Sequence, residues 1–264
     1  MLSAPLRVAV LCSHRAPGLA QLIDDARHGP LYEIACCLTT EEAFEGHGQA
    51  QAAGIPCVTH PIRRFYAARG ARLGDAVVRA AYDEETAGLL APFGLDLVVL
   101  SSYLFILTRP MLAAFRGRLV NVHHSDLTIP NGGGRPRYVG LRAVRDAILA
   151  GEPETRATAH LVTEELDAGP PLLRSWAFPV ARPEAATDRS ARDVLKTHVF
   201  VHQEWMLRRA WGPLMAGAIE ILATTRIRTT DRCAWIDGVP GPWDLRVDGT
   251  VRPGVPLEAG ARES

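Results

Sequence analysis

Apolar residues along this chain fall into short blocks whose spacing switches between that of strands and that of helices. LRVAVLCS (6–13) is a β-branched apolar run, and GLAQLIDDARHG (18–29) follows it with helical spacing at Leu19, Leu22, Ile23 and Ala26. YEIACCLTT (32–40) and IPCVTHP (55–61) predict a second and third strand, separated by a helix or loop over 41–54. RLGDAVVRAAYDEETAGLLAPFG (72–94) predicts a long helix. LDLVVLSSY (95–103) is the most apolar strand, RPMLAAFRG (109–117) a short helix and RLVNVHH (118–124) a fifth strand. Strand alternating with helix predicts an α/β fold: an open, doubly wound, mostly parallel sheet with helices on both faces.

The second half is less regular. LTIPNGGGRPRYVG (127–140) is rich in Gly, Pro and Arg and predicts a long loop, and LRAVRDAILAG (141–151) an amphipathic helix. ATAHLVTEELDAGPPLLRSWAFPV (157–180) predicts two strands around the turn ELDAGP, and 190–224 is mostly helical. CAWIDGVPGPWDLRVDG predicts a short hairpin around Gly-Val-Pro-Gly-Pro, and the final PLEAGARES (256–264) is expected to lack fixed structure. The expected organisation is a core domain over 1–225 and a C-terminal hairpin extension over 226–264.

Composition narrows the classes. Hydrophobic residues make up 47% of the 264 residues, enough for a sizeable core. With 29 basic and 29 acidic residues the net charge is zero, which gives no footprint for nucleic acid or an anionic membrane. The five cysteines form no C-x-x-C pair and sit mostly beside apolar runs, as buried free thiols do. No apolar run reaches a membrane span, and a cytoplasmic protein is expected.

Of the local motifs, the first turn CSHRAPGLAQ lacks the G-x-G-x-x-G dinucleotide fingerprint, although Arg15 and the following helix could hold an anion. NGGGRPR is not a Walker loop; a lid and a plain surface insertion are both open. His198 and His202 stand four apart on a predicted helix, a spacing able to hold a metal, but without H-E-x-x-H helix packing is the better reading. Asn121 and His123 are two apart on an extended segment, so their side chains share a face. They stand at the carboxyl end of a predicted parallel strand, where open sheets place ligands. Taken alone they read as a core Asn and His. With Asp167 in the turn before Gly169-Pro170, an amide, an imidazole and a carboxylate make a set suited to acyl transfer to an amine.

At these residues the sequence resembles the folate-dependent formyltransferases, in particular the glycinamide ribonucleotide type, over roughly residues 6–225. The segments that carry it are VAVLCS…GLAQLID, AAGIPCVTHP, LDLVVLSSYLFILTRPMLAAFRGRLVNVHHSDL and GLRAVRDAILAGEPETRATAHLVTEELDAGPPL. The resemblance implies Asn121, His123 and Asp167 as catalytic residues. It implies 10-formyltetrahydrofolate as donor, held at Phe105, Ile106 and Leu107 and at Val162, Thr163, Glu164, Glu165 and Leu166. A small-molecule amine is the implied acceptor, with no metal. In that mechanism Asn121 and a protonated His123 stabilise an oxyanion, supported by Asp167. Ser13, Arg15, His124 and Arg137 are expected on the acceptor side, and a homodimer is considered. The chain departs from the family in its first turn, in His124 where Pro is common, and in the longer 127–140 loop. All three departures fall on the acceptor side. An acceptor other than glycinamide ribonucleotide is expected; transfer to glycinamide ribonucleotide itself, hydrolysis of the donor and non-catalytic folate binding are the alternatives, and the first strand beginning at residue 6 is expected to favour transfer over hydrolysis.

Overall fold

The computed structural model describes residues 4–181, 189–230 and 232–254. In chain order the elements are β1 (Leu6–Cys12), α1 (Leu19–Ile23), β2 (Tyr32–Thr39), α2 (His47–Ala52), β3 (Cys57–Thr59), α3 (Ile62–Ala67) and α4 (Ala76–Leu90). They continue with β4 (Leu97–Leu100), α5 (Arg109–Ala114), β5 (Leu119–His123), α6 (Ala143–Ala150), β6 (Glu154–Thr155), β7 (Thr158–Leu161), β8 (Pro171–Arg174) and β9 (Phe178–Pro179). Last come α7 (Arg189–Thr224), β10 (Ile227–Thr230), β11 (Cys233–Ile236), β12 (Val239–Pro240), β13 (Trp243–Leu245) and β14 (Val251–Arg252).

Nine strands form one sheet in the order β14-β13-β8-β7-β5-β4-β1-β2-β3. The run β3-β2-β1-β4-β5 is parallel throughout, as the alternation predicts. Strand period then sorts the core onto two faces. Val8, Val10 and Cys12 pack with α1 and α7 through Leu19, Leu22 and Trp211. Ala9 and Leu11 pack on the other face with Leu90 of α4 and Met111 of α5. Both faces of β1 are covered, which is why its sequence reads as a continuous apolar run.

Several elements differ from expectation. The helix predicted over 18–29 stops at Ile23, because Asp25 turns the chain: its carboxylate accepts from the Arg27 amide at 2.9 Å and from the Arg27 guanidinium at 2.7 Å. The long helix predicted from 72 begins at Ala76, where Asp75 caps it by accepting from the amides of Val77 and Val78 at 2.9 and 3.1 Å. The short helix α3 falls where no helix was expected. The C-terminal segment turns at Asp237-Gly238, not at Gly-Val-Pro-Gly-Pro. It splits its strands between two sheets: β10, β11 and β12 pair among themselves, while β13 runs parallel to β8 and extends the main sheet. Arg174 of β8 ties this edge together through Asp244 at 3.0 Å and Asp126 at 3.1 Å. Residues 256–264 lie outside the described residues. All five cysteines are free, and burial raises the Cys12, Cys36 and Cys37 thiols well above their usual range. Among the described residues no helix is long and apolar enough to cross a membrane.

Candidate active site

The site begins where β5 turns polar. Leu119 belongs to the α4–α5 face of the sheet, and strand period puts Asn121 and His123 on that same face, at the carboxyl end. On one side Asn121 is in register with Leu100 of β4, on the other with His160 of the antiparallel β7. The β7–β8 hairpin then returns Asp167 to the same point. Gly169 makes that return possible: a Cβ there would stand 1.8 Å from the Leu161 carbonyl oxygen. Asp167 itself has φ 50°, a left-handed conformation uncommon outside glycine.

These side chains form one network. His160 Nδ1 donates to the Leu161 carbonyl at 3.0 Å, so its Nε2 is left as an acceptor facing Asn121 Nδ2 at 3.2 Å. That contact fixes the amide with its nitrogen toward His160, and the second hydrogen of Nδ2 remains for another partner. His123 Nδ1 lies 3.5 Å from Asp167 Oδ2, and the Gly140 amide donates to the same oxygen at 2.8 Å. His123 Nε2 is buried and has no hydrogen-bond partner. Burial holds His123 below the ordinary imidazole value, against the opposing pull of Asp167 and of the Tyr138 carbonyl. The imidazolium expected from sequence is therefore corrected to a neutral ring at neutral pH. Burial pushes His160 down to about 4 and His124 down to about 3.

The network forms one wall of a cavity of about 580 Å³ outside the carboxyl ends of β1, β4 and β5, which is where open α/β sheets place ligands. It brings together most of the residues expected from sequence: Asn121, His123 and Asp167, the segment Phe105–Leu107, the segment Val162–Leu166, and Arg15 and His124. Its mouth is apolar. Leu104, Ile106, Leu141 and Leu166 are 49–79% exposed around it. The 103–107 segment is held from behind by α4: Arg79 donates to the Ile106 carbonyl at 2.9 Å and lies 2.7 Å from the fully buried Asp83, which also accepts from Thr108.

Two expected acceptor residues are not brought in. Ser13 is fully buried, and its Oγ accepts from Thr40 Oγ1 and from the Leu104 amide, bracing the loop behind the cavity. Arg137 pairs with Glu152 at 3.6 Å and does not line the cavity. Asn131 closes the glycine-rich segment into a tight turn by accepting from the amides of Gly133 and Arg135. The turn is tied to Glu165 through Arg135 at 2.6 Å.

Sequence reasoning missed His160 and the α7 contribution of Phe200, Gln203, Glu204, Leu207 and Trp211. His160 could have been found from its antiparallel register with Asn121; the α7 residues carry no local signal. His202 instead packs inward, its Nε2 2.6 Å from Thr155 Oγ1. Among the described residues no group of three His, Cys, Asp or Glu is placed to hold a metal.

The formyl transferase family model matches residues 6–202. The chain is 31% identical over 234 residues to the phosphoribosylglycinamide formyltransferase of Escherichia coli, covering 88% of this chain and 94% of that one. It is 27% identical over 193 residues to the formyltetrahydrofolate deformylase of the same organism, covering 72% of this chain and 61% of that one. The solved structure of glycinamide ribonucleotide transformylase 1 from Symbiobacterium toebii superposes with a TM-score of 0.64 at 25% identity, covering 89% of this chain and 95% of that one. The chain spans only 14–17% of the length of the trifunctional purine biosynthetic proteins that it matches in Drosophila and Bos taurus. With the family model covering most of its length and the Asn121–His123–Asp167 wall where that fold opens its cavity, this chain belongs to the formyl transferase family.

Proposed function

We propose that the chain transfers a formyl group from 10-formyltetrahydrofolate to the amine of a small-molecule acceptor. The observation that carries this reading is the convergence of Asn121, His123 and Asp167 on one wall of a cavity with an apolar mouth. The exposed apolar side chains at that mouth fit a flat aromatic donor. The segments 105–107 and 162–166 would hold it, and once bound it supplies the formyl group.

Each side chain has a task in that step. Asn121 donates its free Nδ2 hydrogen to the formyl oxygen as charge develops there. His123, neutral at rest, accepts at Nε2 the proton shed by the amine as the new C–N bond forms. Asp167 faces the imidazolium so created and stabilises it. His123 returns the proton to the folate nitrogen as the old C–N bond breaks. His160 keeps the Asn121 amide in its donating orientation.

The test is incubation with 10-formyltetrahydrofolate and a panel of amines. Tetrahydrofolate formation is followed together with the mass gain of a formyl group on the amine. Asn121→Ala is expected to lower turnover about 10²–10³-fold, the loss typical of an oxyanion donor. Near-normal transfer by that variant would overturn the assignment. Release of free formate at the same rate without any amine would identify hydrolysis instead, the activity named in the deformylase relative.

A further inference from the structure

The end of the cavity opposite the 103–107 segment has a charge pattern that bears on what the acceptor is. Arg15 is the only arginine or lysine among the described lining residues, and Glu204 lies against it; of the other lining carboxylates, Glu164 and Glu165 stand on the donor segment, where Glu165 pairs with Arg135. Three of the five N–H groups of Arg15 are engaged. Its two terminal nitrogens grip Glu204 at 2.6 and 3.1 Å, and its Nε lies 3.0 Å from Glu45. This bidentate pairing raises Arg15 and lowers Glu204 in pKa, so both stay charged and mutually satisfied. His124, close to Trp211 with ring centroids 4.3 Å apart, is neutral.

Some backbone donors of the first turn are spent as well. The Ser13 amide donates to Ser102, the Ala16 amide to Glu45 and the Leu19 amide to Ala16, while Pro17 has none. Helix α7 sits directly on this turn: a Cβ on Gly18 would stand 2.5 Å from the Gly212 nitrogen. A doubly charged phosphate placed beside Arg15 would meet Glu204 and Glu45, which already hold that guanidinium. The surface that remains is apolar: Phe200, exposed above the buried Leu207 and Trp211, with Gln203 as a neutral polar group.

From this we infer that the acceptor is a phosphate-free amine with an aromatic or aliphatic body, seated against Phe200. The inference rests on the formyl-transfer reading and names its substrate class. The Arg15–Glu204 pair acts as a specificity element: it closes the place where a phosphorylated acceptor would need an unpaired guanidinium.

Steady-state transfer measured on the full chain separates the two claims. The acceptors are glycinamide ribonucleotide, the same riboside without its phosphate, and 2-phenylethylamine. Removal of the phosphate is expected to raise kcat/KM by about tenfold or more, and 2-phenylethylamine is expected to be formylated. A phosphorylated acceptor used as well as or better than its dephosphorylated partner overturns the inference and leaves the transfer reading standing. Tetrahydrofolate formed with free formate alone, or not formed at all, overturns the transfer reading and the inference with it. Phe200 is 61% exposed, so Phe200→Ala leaves the fold intact. That variant is expected to raise KM for 2-phenylethylamine about tenfold with KM for the donor unchanged. An unchanged amine KM would overturn the proposed seat. Glu204→Gln removes the charge that holds Arg15 and is expected to raise transfer to glycinamide ribonucleotide about tenfold relative to wild type. No gain would show that the pair does not set the preference.

Discussion

At the scale of single residues, the proposed mechanism turns on the protonation of His123. Desolvation holds it neutral while Asp167 pulls the other way. If neutral His123 is the base, activity is flat through neutral pH and is lost only as pH falls below the ordinary imidazole value of about 6.5. Asp167→Asn removes the upward pull. The acid limb of kcat/KM in that variant is expected to move to lower pH, alongside a drop in kcat. An acid limb that stays in place or moves upward would show that Asp167 does not act on His123. The set Asn121, His123 and Asp167 was legible in the sequence because strand period aligns the first two and a Gly-Pro turn follows the third. His160 was not, since its role exists only through its partner across the sheet.

At the scale of elements, the cavity depends on helix contacts made outside its walls. Helix α4 pins the 103–107 segment through Arg79, and Asp83 is the fully buried counter-charge to that guanidinium. Asp83→Ala leaves the Arg79 charge unpaired and is expected to cost about 3–5 kcal/mol of stability. It also frees the segment, so KM for the formyl donor should rise in whatever folded protein is obtained. Urea titration and donor kinetics check the two effects, and a variant with unchanged midpoint and KM would refute the coupling. Helices α1 and α7 meet at Gly18, which has φ 79° and no room for a Cβ. Gly18→Ala is expected to destabilise by about 2 kcal/mol or more, and so to lower Tm by about 4–8 °C in a thermal melt. An unchanged Tm would contradict the close approach. Neither helix contact was readable from its own segment, because each joins residues far apart in sequence.

At the scale of the whole molecule, burying several neutral histidines around one cavity ties global stability to pH. Above about pH 6.5 His124 and His160 are neutral in both the folded and the unfolded chain, and their contribution does not change. As pH falls toward 4 and 3, the unfolded chain takes up protons that the folded chain refuses, so folding stability is lost across that window. At pH 5 each ring costs on the order of 2 kcal/mol relative to pH 7. His124→Phe removes one such group and should keep the apolar contact with Trp211. The stability gap between variant and wild type, measured by urea unfolding, is expected to shift in favour of the variant by about 2 kcal/mol between pH 7 and pH 5. A gap that does not move would show that His124 protonates freely in the folded state.

The sequence by itself determined the doubly wound core, because both faces of the parallel strands are buried and leave continuous apolar runs with helical spacing between them. It also determined the polar end of β5 and the turn carrying Asp167, because strand period and turn chemistry are local properties. The tertiary structure decided which of the expected acceptor residues reach the cavity. Ser13 points into the protein, Arg137 pairs with Glu152, and Arg15 is held by a carboxylate 189 residues away. It also decided that the C-terminal strands finish the main sheet beside β8. The reason is common to all of these: a side chain's charge state and direction are set by the groups packed against it, and those groups arrive from other elements only once the sheet has formed.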